Sequence, residues 1–464
     1  MFRRTYINLS SFARDSVSHQ KSIPNLSYNF PPPHIMTETR FPTRHVLPSV
    51  MMRSGTSKGL FVHRKHLPQD QTEWGPVLLS VMGSQQGDQK QLDGVGGGTS
   101  TTSKVAIVSK STRHDADVEY TFVQVAVGKG QADFSGNCGN MACGVGPFAL
   151  DEGLVHTVPG QTSVRVLQEQ VGGETLLTAA KLDVRVFNTN TQRLLVETVE
   201  VGPDGRFNEF GHFRIGGVKS EGSEIKVAFV EPAGSMTGKL LPTGNAQDTI
   251  TVSSLPTLGQ FSVQASLVDA ANPFVFLDSR SLPPVYHLLG PEAPETLEVI
   301  EAIRQEAAVL YGLAKDAAAA SLVRGTPKIA VLSPSVGSAA DLRTIRVQSF
   351  SMGKPHPSLQ LTGGVCLGAA VCTEGTIANQ LAAETDMVTP PGTPPRELKV
   401  DDTEESAGVS KCRVNIKHSS GEMEVLVRTR KDDAGETEIE KVSVSRTARR
   451  LFEGNAYYST EAFA

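Results

Sequence analysis

From His45 onward the chain is written in short apolar runs that alternate with a period of two, separated by glycine-rich turns. A strand sends successive side chains to opposite faces, so this period marks a strand with one face buried. Residues 118–127 show the alternation most plainly, and 163–171, 176–188 and 193–201 repeat it. Compact apolar runs at 105–109, 225–232, 261–269, 274–278, 328–333 and 343–352 read as further strands. Forty-three glycines and an aromatic content of 6% favour such a fold of tight turns over a helical bundle. One long helix is predicted over 294–322. There Leu297, Ile300, Ala307 and Leu310 fall at helical spacing and the Ala-rich end has high propensity.

At 464 residues the chain exceeds one ordinary core and suits two domains of about 200 residues each. The polar stretch 241–248 is the best boundary, giving domains over 45–240 and 245–464. Residues 1–40 are set apart as an extension. Its first 36 residues carry Arg3, Arg4, Arg14 and Lys21 against the single acid Asp15, with frequent serine and interspersed Phe2, Tyr6, Ile7, Leu9 and Phe12. That is the composition of a mitochondrial transit peptide; the alternatives are a plain extension or a chain that begins at Met36. A segment rich in Pro, Gly and acids at 389–408 reads as a disordered insertion, near 385–410.

The net charge is −5 and no basic run carries interleaved aromatics, which argues against nucleic-acid binding. A mildly acidic chain can still hold an anionic substrate with a few local cations. No apolar run is long enough to span a bilayer, so no membrane partner is expected. Five cysteines, an odd and low count, do not make a disulfide framework. Their spacings match no zinc motif, and no H-E-x-x-H occurs, so no structural metal is expected.

The strongest chemical feature is SGNCGNMACGVGPFAL (135–150). Cys138 sits in a Gly/Asn turn ahead of a helix-forming segment. Unpaired backbone N–H groups and the positive helix end there favour thiolate. Gly139 lets backbone donors approach a bound carboxylate. A buried structural cysteine is the common alternative, and it is the better reading for Cys143. The second feature, QLDGVGGGTSTTSKVAIVS (91–109), places three glycines and a Ser/Thr run before Lys104. It is not a phosphate loop, but it can form a nest of donors. Lys104 serves as a base only if burial lowers its pKa; taken alone it reads as an exposed lysine. The third, MRSGTSKG (52–59), combines Arg53 and Lys58 with small hydroxyl residues. It is either a carboxylate site or a surface turn. In the second half, 351–370 carries Lys354, His356 and the turn Thr362-Gly363-Gly364, a counterpart of the Cys138 turn. A lone His such as His356 is more often a core residue.

Together these segments resemble the PrpF family, the methylaconitate cis-trans isomerases. The resemblance rests on MRSGTSKG, QLDGVGGGTSTTSKVAIVSKS, DADVEYTFVQVAV, SGNCGNMACGVGPFALDEGLV, FVEPAGSMTGKLLPTGN, DAANPFVFL, SMGKPHPS and RTARRLFEG. They run in family order from about residue 46 to 456. The resemblance implies an α+β, diaminopimelate-epimerase-like fold. In it two similar domains each wrap a curved sheet, nearly a barrel, around a central helix, and the active site lies in the cleft between them. The extension and the 389–408 insertion are extra to the family.

By motif position the family's acid–base pair falls on Lys104 and Cys138. A symmetric two-thiol racemase is disfavoured, because the second position falls on Thr362 and Cys366 lies four residues too late. The implied reaction is a cofactor-independent isomerisation of a methylaconitate- or aconitate-type acid. A proton is removed to give a dienolate and returned at another carbon. Arg53, Ser54, Thr56 and Ser57 are the candidates for substrate carboxylates, with Lys354 and Thr362 from the second domain. Backbone N–H groups at Gly139 and Asn140 are candidates for the dienolate. A small polycarboxylate is the expected partner, and a homodimer the expected assembly. The alternatives are an oxalomesaconate-type tautomerase, an amino-acid epimerase or hydroxyproline dehydratase of the same superfamily, and a non-catalytic polycarboxylate-binding protein.

Overall fold

The computed structural model describes residues 43–156, 164–171, 174–255, 258–335, 342–386, 409–432, 435 and 437–459. The N-terminal extension and the insertion over 389–408 lie outside the described residues, and so does the transit-peptide reading. Among the described residues no helix is long and apolar enough to cross a membrane.

The first half opens with a hairpin of β1 (Arg44–Ser54) and β2 (Ser57–His63), followed by helix α1 (Trp74–Met82). Strands β3 (Lys104–Lys110), β4 (Val118–Ala126) and the short β5 (Gln131–Asp133) come next. The short helices α2 (Gly139–Ala142) and α3 (Val145–Asp151) lead to β6 (Val164–Val171), β7 (Glu174–Asn188), β8 (Arg193–Val201) and β9 (Ile225–Val230). The second half begins with β10 (Asp248–Leu255), β11 (Gly259–Asp269) and β12 (Pro273–Asp278), then α4 (Pro284–Leu289), α5 (Pro294–Leu310) and α6 (Ala317–Leu322). Strands β13 (Lys328–Pro334), β14 (Leu342–Ser351) and β15 (Lys354–Pro355) precede α7 (Leu361–Val371) and α8 (Ile377–Asp386). Strands β16 (Val409–His418), β17 (Gly421–Lys431), β18 (Thr437–Arg446) and β19 (Ala448–Ser459) follow.

The pairing pattern repeats. In the first half β1 and β2 form a hairpin, β2 lies parallel to β3, β3 pairs β4, and β4 lies parallel to β7, which runs on through β8 to β9. In the second half β11 and β12 form a hairpin, β12 lies parallel to β13, β13 pairs β14, and β14 lies parallel to β16, which runs on to β17 and β18. Parallel neighbours need a crossover. Each half supplies one with helices on the outer face and one with helices on the inner face. The last strands of the halves, β9 and β18, pair antiparallel, and β19 returns to pair with β1. The fold is the expected α+β, diaminopimelate-epimerase-like one.

The compact apolar runs follow from this layering, because strands covered on both faces lose the apolar–polar alternation. On β3, Val105 and Ile107 pack outward beneath Trp74, Leu78 and Met82 of α1, while Ala106 and Val108 face the central core. On β13, Ile329 and Val331 pack against α5, and Ala330 and Leu332 face inward. Each such Val, Leu or Ile side chain, fully withdrawn from water, contributes roughly 1.5–3 kcal/mol. Helix α7 is apolar all round and all eleven of its residues are buried. Its small residues set the spacing to the sheet: a Cβ at Gly368 would lie 2.8 Å from Val425 Cγ1.

The helix expected over 294–322 is in fact two. Helix α5 stops at Leu310, and the chain passes through Gly312 at φ +74°. Asp316 then starts α6 by accepting a hydrogen bond from the Ala319 N–H at 2.7 Å. The left-handed glycine and the cap override the helical propensity of the Ala-rich segment.

Candidate active site

The N-termini of α2 and α7 meet head to head in the middle of the molecule. Gly139 makes this approach close, since a Cβ there would sit 2.6 Å from Leu361 Cδ2. Between the two ends lies a partly enclosed cleft. Lys104, Asp133, Cys138, Gly139 and Asn140 line it from the first half, and Lys328, His356, Gln360 and Thr362 from the second.

Cys138 is the residue that caps α2, in an extended conformation at φ −133° and ψ 95°. Neighbours hold it in place. The Tyr120 hydroxyl donates to its carbonyl at 3.3 Å. Next to it, the Asn137 side chain donates to the Ala271 carbonyl at 3.2 Å and accepts from Asn188 Nδ2 at 2.7 Å. Lys104 opens β3, and its Nζ donates to Cys138 Sγ at 3.3 Å. Both side chains are buried, at 9% and 8% exposure. The lysine Nζ also lies 5.3 Å from the centre of the Phe122 ring.

The thiols of Cys143 and Cys366 have other partners. Burial pushes the Cys143 thiol up to about 12, and its sulfur lies 3.2 Å from Ser54 Oγ. Cys366 is buried within α7, donates to the Val268 carbonyl at 3.2 Å, and has its pKa raised by burial.

The residues of MRSGTSKG do not line the cleft; they pack behind Asn140. The Ser54 hydroxyl donates to the Asn140 carbonyl. Gly55, at φ +55°, turns the chain so tightly that a Cβ would collide with the Asn140 side chain. Asn140 Nδ2 donates to Thr56 Oγ1 at 3.1 Å, and Ser358 Oγ donates to the same hydroxyl at 3.3 Å. Thr56 therefore joins the two halves. Ser57 is buried opposite Ser54. Arg53 is turned away, donating to the carbonyls of Gly55 at 3.1 Å and Thr447 at 2.8 Å. Lys354 is exposed on β15 and does not line the cleft. The structure thus brings Lys104, Cys138, Gly139, Asn140 and Thr362 to one cleft, and places Arg53, Ser54, Thr56, Ser57 and Lys354 outside it.

Four further residues shape the site. His356 is both buried and cleft-lining. Its Nδ1 lies 2.6 Å from the Ser358 carbonyl, and burial lowers its pKa to about 4, so the ring is neutral near neutral pH. Gln360 caps α7, and its Oε1 accepts from Ser349 Oγ at 2.6 Å. Arg446, from the end of β18, is buried and reaches Asn140 Oδ1 at 3.4 Å; burial lowers its pKa to about 10. Lys328 lines the cleft across from Lys104. Of the four, His356 is singled out by the sequence as a lone histidine, and Lys328 is seen there only as the first residue of the strand-like run KIAVLS.

Comparison with known proteins agrees with this architecture. The model of the PrpF protein family matches residues 44–391 and 400–459, so the match begins after the extension and skips part of the acidic insertion. The 3-methylitaconate isomerase of Eubacterium barkeri is 33% identical over 89% of this chain and 97% of its own length. The 4-oxalomesaconate tautomerase of Pseudomonas putida is 32% identical over 88% and 95%. The 2-methyl-aconitate isomerase of Shewanella oneidensis is 31% identical over 90% and 98%. The crystal structure of a methylitaconate-delta-isomerase superposes with a TM-score of 0.61 at 31% identity, covering 91% of this chain and 97% of that one. With this match along nearly its whole described length, the chain belongs to the PrpF family and is an isomerase.

Proposed function

We propose that the protein shifts a proton along an unsaturated di- or tricarboxylic acid of the methylaconitate or aconitate type, with Cys138 and Lys104 as the acid–base pair and without a cofactor. The observation that carries this reading is the 3.3 Å contact between Lys104 Nζ and Cys138 Sγ, buried where two helix N-termini face one cleft.

The chemistry needs one group to take a proton from a carbon conjugated with a carboxylate, and a group to return a proton at another carbon. The C–H bond breaks, and its electron pair spreads into the adjoining C=C and carboxylate as a dienolate. A new C–H bond then forms at the far carbon, so the product is an isomer with the double bond moved or rotated. Backbone N–H groups at Gly139 and Asn140, with Thr362 opposite, are suited to hold the extra negative charge as it develops. Ser54 and Thr56 support Asn140 from behind, while Arg53, Ser57 and Lys354 lie outside the cleft. The two domains of this reading are the two halves, 45–240 and 245–464, with the C-terminal strands closing back on the first. The keto–enol shift of an oxalomesaconate-type acid uses the same two proton transfers, so the substrate is distinguished by experiment.

Proton NMR in D2O with cis-aconitate, methylaconitate, methylitaconate and oxalomesaconate tests the proposal. Interconversion of isomers with deuterium entering one compound is the expected result. Folded protein that exchanges none of them would overturn the assignment.

A further inference from the structure

The repeat that relates the two halves carries a second lysine into the cleft. Strands β3 and β13 hold the same place in their halves. Each follows the first crossover and lies parallel to the second strand of the opening hairpin. Lys104 and Lys328 are the first residues of these strands. By the Gly-flanked turn the counterpart of Cys138 is Thr362, and by the helix cap it is Gln360, so neither position gives Lys328 a thiol of its own half.

Its surroundings suit an anion. The Lys328 ammonium donates to the Gly325 carbonyl at 3.2 Å, and among the described residues it makes no ion pair. Asp133 is near enough to be felt but does not pair with it. Beside it, Gln360 is 8% exposed, and its Oε1 is occupied by Ser349 Oγ. Gln360 Nε2 is thereby fixed, and it has no protein partner among the described residues. An orphaned buried donor costs about 1–3 kcal/mol unless something accepts from it. Gln360 also caps α7, a helix of eleven residues whose free N–H groups face the same space.

We propose that Lys328 and Gln360 Nε2, at the N-terminus of α7, form a second carboxylate site that holds the substrate by a carboxylate remote from the carbon that exchanges its proton. This rests on the polycarboxylate reading of the cleft. It divides the labour between the two lysines: Lys104 touches the thiol, and Lys328 binds. Asp133 lines the cleft without pairing with Lys328, and the substrate carboxylate brings that ammonium a partner.

The groups facing Lys328 are Lys104 of β3, Asp133 of β5, Cys138 ahead of α2 and His356 after β15, and on the outer side Glu301 and Arg304 of α5 and Arg324 line a hollow with it. Burial, and then repulsion from Lys104, bring Lys328 down to about 8, with Cys138 and Asp133 opposing. The ammonium is present below that pH and is lost above it. Affinity for a polycarboxylate therefore falls as pH rises through about 8.

Calorimetric titration with propane-1,2,3-tricarboxylate, a saturated acid that cannot isomerise, separates binding from turnover. The full chain is compared with Lys328→Met and Lys328→Arg, each checked for folding by circular dichroism. Lys328→Met is expected to bind about 30- to 100-fold more weakly and to lose the fall in affinity above about pH 8. Lys328→Arg, which keeps the charge, is expected to recover most of the affinity at neutral pH. Equal binding by folded Lys328→Met and wild type would overturn this proposal and leave the proton-shift reading standing. The same holds if Lys328→Met folds poorly and folded Lys328→Arg shows the wild-type fall above about pH 8. No binding by the wild type would overturn the polycarboxylate reading, and this proposal with it.

Discussion

Cys138 and Cys143 lie on one short helical segment, five residues apart in numbering and far apart in chemistry. Cys138 opens on the cleft and meets an ammonium. Cys143 is fully enclosed, and burial holds its thiol at about 12. Cys143→Ala is therefore expected to retain turnover while losing about 1 kcal/mol of stability for the contacts removed. Parallel rate and thermal-unfolding measurements check this, and a catalytic collapse would show that the two thiols cooperate. This distinction was legible in the sequence, because Gly and Asn flank Cys138 whereas apolar residues follow Cys143. The orientation of Arg53 was not. Its guanidinium is claimed by carbonyls of Gly55 and of Thr447, and Thr447 lies 394 positions away. No local pattern announces so distant an acceptor.

At the scale of elements, the central helices depend on what the sheet tolerates. At Gly368 an added Cβ would press on Val425 and Val427, stiff β-branched residues of β17. Gly368→Ala is expected to lower stability by about 1–3 kcal/mol despite the higher helix propensity of alanine. Denaturant unfolding measures the difference. The first-half helices sit on a different device. Glu197 of β8 is completely buried, and its Oε2 accepts from the Gly146 N–H of α3 at 2.8 Å. Burial raises its pKa from 4.5 to about 8. Between those values the folded state keeps the proton and the unfolded state releases it, so stability falls as pH rises through that window. Glu197→Gln is expected to flatten that slope in unfolding experiments at pH 5 to about 8; an unchanged slope would assign the pH dependence to other groups. Strands with period-two patterning, such as β4 and β8, were readable because one regular face is apolar. The break between α5 and α6 was missed because Gly312 and Asp316 act through backbone geometry within a strongly helical composition.

Across the whole molecule, one topology written twice brings two helix ends, two lysines, a thiol and a threonine to a shared cleft. The resemblance to a known family made the fold and the Lys104–Cys138 pair legible. The counterpart relation between Lys104 and Lys328 becomes plain only when β13 is seen to lie parallel to β12, as β3 lies parallel to β2. The return of β18 to β9 and of β19 to β1 was likewise hidden, since pairing over such separations leaves no local signature. These strands bind the halves that shape the cleft, and Arg446 at the end of β18 reaches Asn140 directly.

The central claim is that Lys104 and Cys138 move the proton, and it is tested most directly by isomerisation rates of Cys138→Ser and Lys104→Ala beside the wild type, on the acid that the wild type converts. Each variant is expected to lose about a thousandfold or more in kcat while its unfolding transition stays cooperative. A folded variant of either kind that turns over at the wild-type rate would contradict the account.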